Sequence, residues 1–219
     1  MPRLLMFDRL LKHKILILIL LAFWGGLPYH FIQKIDFSKV ITMPTIRIDE
    51  FIPMNFDWVW IYHSWLLLPI AVGFLTNKWS MLKRFAWSIF VVNAISFLVF
   101  VCLPTEAPRP IDVASAPKLY LWTIQIDEPT NACPSLHASV TILSSIFAVF
   151  VLGRFRWAWL GRAFTVLWAI CILWSTLATR QHVFIDIAIG SLLGSIVATV
   201  ALWPQLESSW FRGSLEQAY

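Results

Sequence analysis

Five polar residues, four of them late in the chain, could carry chemistry. His182 and Asp186 stand four apart in the stretch Thr179-Arg180-Gln181-His182-Val183-Phe184-Ile185-Asp186. On a helix that spacing stacks them on one face, one turn apart. A carboxylate there accepts a hydrogen bond from one imidazole nitrogen and leaves a lone pair on the other, the arrangement of an oriented, nucleophilic histidine. For an isolated pair the plainer reading is a polar couple reaching the membrane interface. His137 follows Pro134-Ser135-Leu136. Pro134 suits the first position of a helix, and a helix start offers unpaired N–H groups to an anion. Ser135 adds a hydroxyl donor, or simply caps the helix, and His137 then falls in the first turn. Arg109, between Pro108 and Pro110, offers a planar fork of donors matched to phosphate oxygens on a stiffened loop. Its alternative is an ordinary arginine at headgroup level.

The elements that must position these groups are apolar. The chain of 219 residues is 59% hydrophobic and 13% charged, with a mean hydropathy of +0.73. That composition points to a polytopic membrane protein rather than a soluble domain. Its 17 Phe and 13 Trp suit lipid-facing surfaces and interfacial belts. Six apolar runs, near 15–32, 56–76, 85–103, 134–152, 163–177 and 182–203, predict a single-domain, all-α bundle of six transmembrane helices covering residues 1–219. Gly25-Gly26-Leu27-Pro28 is followed by bulky Tyr29 and His30, which argues for an uncleaved first helix rather than a signal peptide. Pro69 is expected to kink the second span. The long connections at 34–55 and 104–131 are expected to pack on the bundle or lie in the interface.

Six spans put both termini on one side. That side collects Arg3, Arg9, Lys12, Lys14, Lys78, Lys83, Arg84, Arg154, Arg156, Arg162 and Arg212 out of 17 basic residues. The excess places the termini in the cytoplasm, and it explains the net charge of +5 without a nucleic-acid partner. Arg109, the 133–137 run and the His182/Asp186 pair then share the extracytoplasmic face. Three cysteines imply no disulfide framework. Cys133 is expected to be a free thiol beside the site, with a Cys102–Cys133 bridge as the alternative.

In this order and on one face, the motifs resemble those of the type 2 phosphatidic acid phosphatase (PAP2) superfamily. Pro134-Ser135-Leu136-His137 matches its P-S-x-H motif, His182-x-x-x-Asp186 the end of its third motif, and Arg109-Pro110 the end of its first. Two motif cations are missing. Cys102 stands where the first motif begins with lysine, and Thr176 where the third carries arginine. Arg180 and Lys118 are the possible substitutes. The Ser175-Thr176-Leu177-Ala178-Thr179 stretch and Asp49-x-x-Ile52-Pro53 with Trp60-Ile61-Tyr62 are similar to the branch that includes the fungal inositol phosphorylceramide synthases and bacterial relatives.

The resemblance implies a metal-independent, cofactor-free membrane enzyme acting on a lipid phosphate or diphosphate. His182 would be the nucleophile, Asp186 its orienting carboxylate and His137 the general acid and then base. Arg109, Ser135, Arg180 and Lys118 would bind phosphate. Zinc on the two histidines and the carboxylate is disfavoured by the nearby arginine. Water as acceptor makes the chain a lipid phosphatase, and a hydroxyl acceptor makes it a phosphotransferase. A non-catalytic membrane scaffold is the third reading. Membrane lipids are the expected surroundings, in the plasma (inner) membrane.

Overall fold

The computed structural model describes residues 2–110, 112–153 and 158–216, with side chains from 10 through 205. Arg154 and Arg156 of the expected basic loop lie outside the described residues. The chain is helical, as expected where no water is at hand to satisfy backbone groups. Helix α1 is Pro2–Ile32, α2 Arg47–Phe51, α3 Val59–His63, α4 Leu67–Leu75, α5 Trp79–Cys102, α6 Lys118–Ile126, α7 Leu136–Leu152, α8 Ala158–Ala178 and α9 Phe184–Glu216.

Five helical segments, not six, are long and apolar enough to cross a membrane among the described residues: Leu10–Ile32, Phe56–Leu75, Trp79–Cys102, Ala158–Ala178 and Phe184–Gln205. The sixth expected helix is present as α7, but it has only 17 residues. At 1.5 Å per residue it spans about 25 Å, less than the roughly 30 Å of a bilayer core. Its surroundings fit that length. It is the central helix, packed by α4, α5, α8 and α9, and Val140, Leu143, Phe147 and Val151 are buried against Phe85, Ile89 and Val92 of α5. The outward faces of the other long helices carry exposed Leu20, Phe23, Trp87, Leu98, Leu167 and Val200.

The second segment breaks before its proline rather than at it. Ser64–Leu66 is a 3-10 turn, and Pro69 sits in the first turn of α4, where its missing N–H is least costly. Lys14 of α1 donates to the carbonyl of Phe74 in the last turn of α4 at 2.8 Å, which satisfies an orphan acceptor.

The two long connections are packed, and they pack on each other. Strands β1 (Ile41–Thr42) and β2 (Thr105–Glu106) pair in parallel. Glu106 bridges antiparallel to Thr130. Thr105 then ties down the approach to α7: its carbonyl accepts from the N–H of Ala132 at 3.2 Å and its hydroxyl from the N–H of Cys133 at 2.9 Å. These segments cap the end of the bundle where α7 and α9 begin.

Candidate active site

The start of α7 differs from expectation by two residues. Pro134 is not the first helical residue. Ser135 is the N-cap, and its hydroxyl accepts from the N–H of Ala138 at 3.3 Å. His137 is therefore the second residue of α7 and projects from its first turn. Ser135 is fully buried, and its backbone N–H donates to the carbonyl of Asp186 at 3.1 Å. That contact joins the starts of α7 and α9. It is possible because Gly190 and Gly194 face α7. A Cβ on Gly190 would run into the carbonyl oxygen of Ser135, and one on Gly194 into that of Ser139. Small residues four apart let the two backbones approach closely.

His182 precedes α9 rather than lying on it. Helix α8 ends in a Schellman turn: the N–H of Gln181 donates to the carbonyl of Thr176 at 3.1 Å, and that of Arg180 to Leu177 at 3.0 Å. The N–H of His182 also reaches the Thr176 carbonyl, at 3.3 Å. This turn puts Arg180 in the left-handed region at φ 54°, a conformation costing a non-glycine residue about 1–2 kcal/mol. The Arg180 guanidinium binds the carbonyls of Asp49 at 2.7 Å and Ile52 at 3.0 Å. The Asp49 carboxylate in turn accepts from the N–H of Phe184 at 2.8 Å, at the first residue of α9, and from that of Ile46 at 2.9 Å. Asp49 is 2% exposed. Arg180 and Asp49 thus clamp the turn that carries His182 from both sides.

His182 Nδ1 stands 3.0 Å from Asp186 Oδ2 across the start of α9. The four-residue spacing brings them together, although only Asp186 is helical. Asp186 has no exposed surface, and as an acidic residue in the first turn it is favoured by the helix dipole. His182 Nε2 faces His137 Nδ1 at 3.2 Å. The His137 ring also packs on Tyr62, with centroids 4.6 Å apart, and on Trp65, at 5.0 Å.

Arg109 comes to the same end of the bundle. One guanidinium nitrogen donates to the Asp127 carbonyl, and buried Nε has no protein partner. Arg109 also lies within electrostatic reach of His137. Lys118, the first residue of α6, is exposed, and no contact joins it to the histidines. The structure therefore brings together His137, His182, Asp186, Ser135 and Arg109. It commits the Arg180 guanidinium to backbone carbonyls and leaves Lys118 at the surface.

Cys102, Cys133 and Cys171 are all free, so the Cys102–Cys133 bridge is not formed. Burial, and then the negative charge of nearby Asp186, pushes the Cys133 thiol up to about 11. Among the described residues no group of three or more His, Cys, Asp or Glu is placed to hold a metal ion. Sequence reasoning missed Asp127, whose carboxylate accepts from Tyr29 and Tyr62. It quoted Asp49 only as part of a resemblance, without its part in the clamp.

The family model of the PAP2 superfamily matches residues 78–210, so the chain belongs to that superfamily. Its members are phosphatases or phosphotransferases, and the chain is a membrane protein of that kind. No curated protein and no solved structure matches the chain.

Proposed function

We propose that this PAP2 superfamily protein is a lipid phosphatase, cleaving a lipid phosphate or diphosphate at the extracytoplasmic membrane face through a phosphohistidine on His182. The observation that carries this reading is the line Asp186–His182–His137. Asp186 accepts from His182 Nδ1–H, so the lone pair of His182 sits on Nε2. His137 Nδ1 must then donate to it, and the two rings meet at the place where a phosphorus atom would enter.

In the first step His182 Nε2 bonds to phosphorus as the bond to the lipid oxygen breaks. His137, protonated, gives its proton to that oxygen. In the second step water attacks phosphorus, neutral His137 takes the water's proton, and phosphate leaves His182. Asp186 stabilises the positive imidazole in between. Arg109 Nε, the Ser135 hydroxyl and the N–H groups at the start of α7 receive the phosphate oxygens as charge builds. Both termini lie in the cytoplasm in this reading. Helix α7 is then a short sixth span, shielded by its neighbours.

Transfer to a hydroxyl acceptor is the second reading, and the clamp favours it. Asp49 and Ile52 lie outside the three shared motifs and resemble the inositol phosphorylceramide synthase-like branch, and they bond to the turn that carries His182. Purified protein incubated with a panel of lipid phosphates, with and without polyol acceptors, and read by mass spectrometry decides between them. Release of inorganic phosphate regardless of polyol supports the phosphatase. A phosphorylated polyol supports transfer. No product from any lipid phosphate would overturn both.

A further inference from the structure

The nucleophile has its carboxylate in Asp186. The other histidine has no carboxylate in hydrogen-bond contact, yet one stands close by. Asp127 caps the C-terminus of α6. Its Oδ1 accepts from the hydroxyl of Tyr29 in α1, its Oδ2 from that of Tyr62 in α3, and its backbone carbonyl from Arg109. Tyr62 is the same residue whose ring packs on His137. Three segments far apart in sequence thus fix one carboxylate beside the site.

The way it is held matters. The Arg109 guanidinium hydrogen-bonds the carbonyl of Asp127, not its carboxylate. Both carboxylate oxygens are dressed by neutral hydroxyls, so the negative charge is solvated without being cancelled by a bidentate ion pair. Burial alone would lift this carboxyl, but the charges of His137 and Arg109 and the two tyrosine hydroxyls hold it below the usual carboxylate range. Asp127 is therefore an anion at any working pH. The titratable and charged groups around His137 are His182 with Asp186 behind it, His63 and Tyr62 from α3, Arg109, and Asp127. Among these described residues, Asp127 is the carboxylate not already bonded to an imidazole.

We propose that Asp127 is a positioning residue for the acid–base step: held by Tyr29 and Tyr62, its charge sustains the protonated form of His137, as Asp186 sustains the positive ring of His182. The proposal rests on the reading of His137 as the general acid. Each histidine then has its own carboxylate, one by direct contact and one across the tyrosine ring.

Asp127→Asn is the test, because the amide keeps the shape and can still bond both tyrosines. The alkaline limb of the pH–rate profile, where His137 loses its proton, should move to lower pH by about one unit. An alkyl phosphate should lose about tenfold at neutral pH, whereas an aryl phosphate, which needs little protonation, should lose much less. Asp127→Glu should restore the limb. Nitrogen-15 NMR of the histidines in detergent gives a readout that needs no turnover, and the midpoint of His137 should fall by the same amount. An unmoved limb and midpoint, with equal loss on both substrates, would show Asp127 to be structural. Should the wild type turn over no phosphate ester, the proposed function falls while the NMR midpoint still decides the role of Asp127. Should Asp127→Asn not fold, Asp127→Ser removes the same charge and must move the midpoint the same way.

Discussion

His137 Nδ1 and His182 Nε2 face each other at 3.2 Å. With Asp186 on the far nitrogen of His182, the proposed tautomers close the resting site on itself: the lone pair that would attack phosphorus accepts a hydrogen bond from the proposed acid. In the proposed mechanism a phosphate must part the two rings and enter between the nucleophile and the leaving-group acid. The roles then predict different losses. His182→Ala should abolish turnover and any acid-labile phosphate on the protein. Asp186→Asn should keep the fold and lose about a thousandfold to ten-thousandfold, because the amide favours the wrong tautomer. Trapping and mapping of the phosphoenzyme checks this directly, and label on His137 would reverse the assignment.

His137→Ala should behave differently from His182→Ala. Without the acid, an ester with a poor leaving group should lose roughly a hundredfold to ten-thousandfold. A substrate with a very good leaving group should recover the first step and, lacking the base for the second, accumulate phosphoenzyme. Rapid-quench measurement of bound phosphate in this variant is the check. Equal loss on good and poor leaving groups would remove His137 from the acid role.

Arg180 tests whether the clamp or the phosphate needs its guanidinium. Both of its contacts are to carbonyls of the first long connection. Arg180→Ala should therefore loosen the 46–53 segment, lower the melting temperature and raise proteolysis there. Inhibition by inorganic phosphate or vanadate should change by less than about threefold, against the tenfold or more expected for loss of a charged phosphate contact. A large change in inhibitor affinity at unchanged stability would put Arg180 back among the phosphate ligands.

These contrasts show what the sequence could and could not disclose. His182 and Asp186 were legible as a pair because their spacing survives the shift of the helix start to Phe184. His137 and Ser135 were legible because a serine before a helix is a local signal, though its register was misplaced by the proline. The packed state of the long connections was legible from their length, but not their strand pairing, which joins residues 64 apart. Arg180 read as a spare cation because its left-handed backbone, set by the Schellman turn, does not show in residue type. Asp127, beside Glu128 in a polar stretch, looked like any solvated loop acid. What sets it apart is bonding from Tyr29 and Tyr62, 98 and 65 residues away. Length and composition mark five spans rather than the expected six, because α7 has only 17 residues and is enclosed by four neighbours.

Cys133 is expected to be a slow thiol despite its place beside the site. Its thiol is pushed up to about 11, and the thiolate is the reactive form. At pH 8 only about a thousandth is ionised. The rate of alkylation at Cys133, followed by peptide mass mapping, should rise about tenfold per pH unit and level off only near pH 11. Levelling near pH 8.5 would show an ordinary thiol, more open to solvent than the structure has it.

Two glycines let α9 lie close against the start of α7. Gly190 and Gly194 lie against the backbone of Ser135 and Ser139, and that approach permits the bond from Ser135 N–H to the Asp186 carbonyl. The opposing atoms are backbone, so they cannot swing aside. Gly190→Ala must push α9 from α7 at the level of the histidines. It should cost about 1–3 kcal/mol of stability and, by displacing Asp186 and His182 relative to His137, about a hundredfold in turnover. Gly194→Ala makes the same clash one turn farther from the site. It should cost similar stability and markedly less activity. Melting temperature and turnover measured on both variants separate the two effects. Equal activity losses at equal destabilisation would mean that helix spacing acts only through stability, not through the geometry of the two imidazoles.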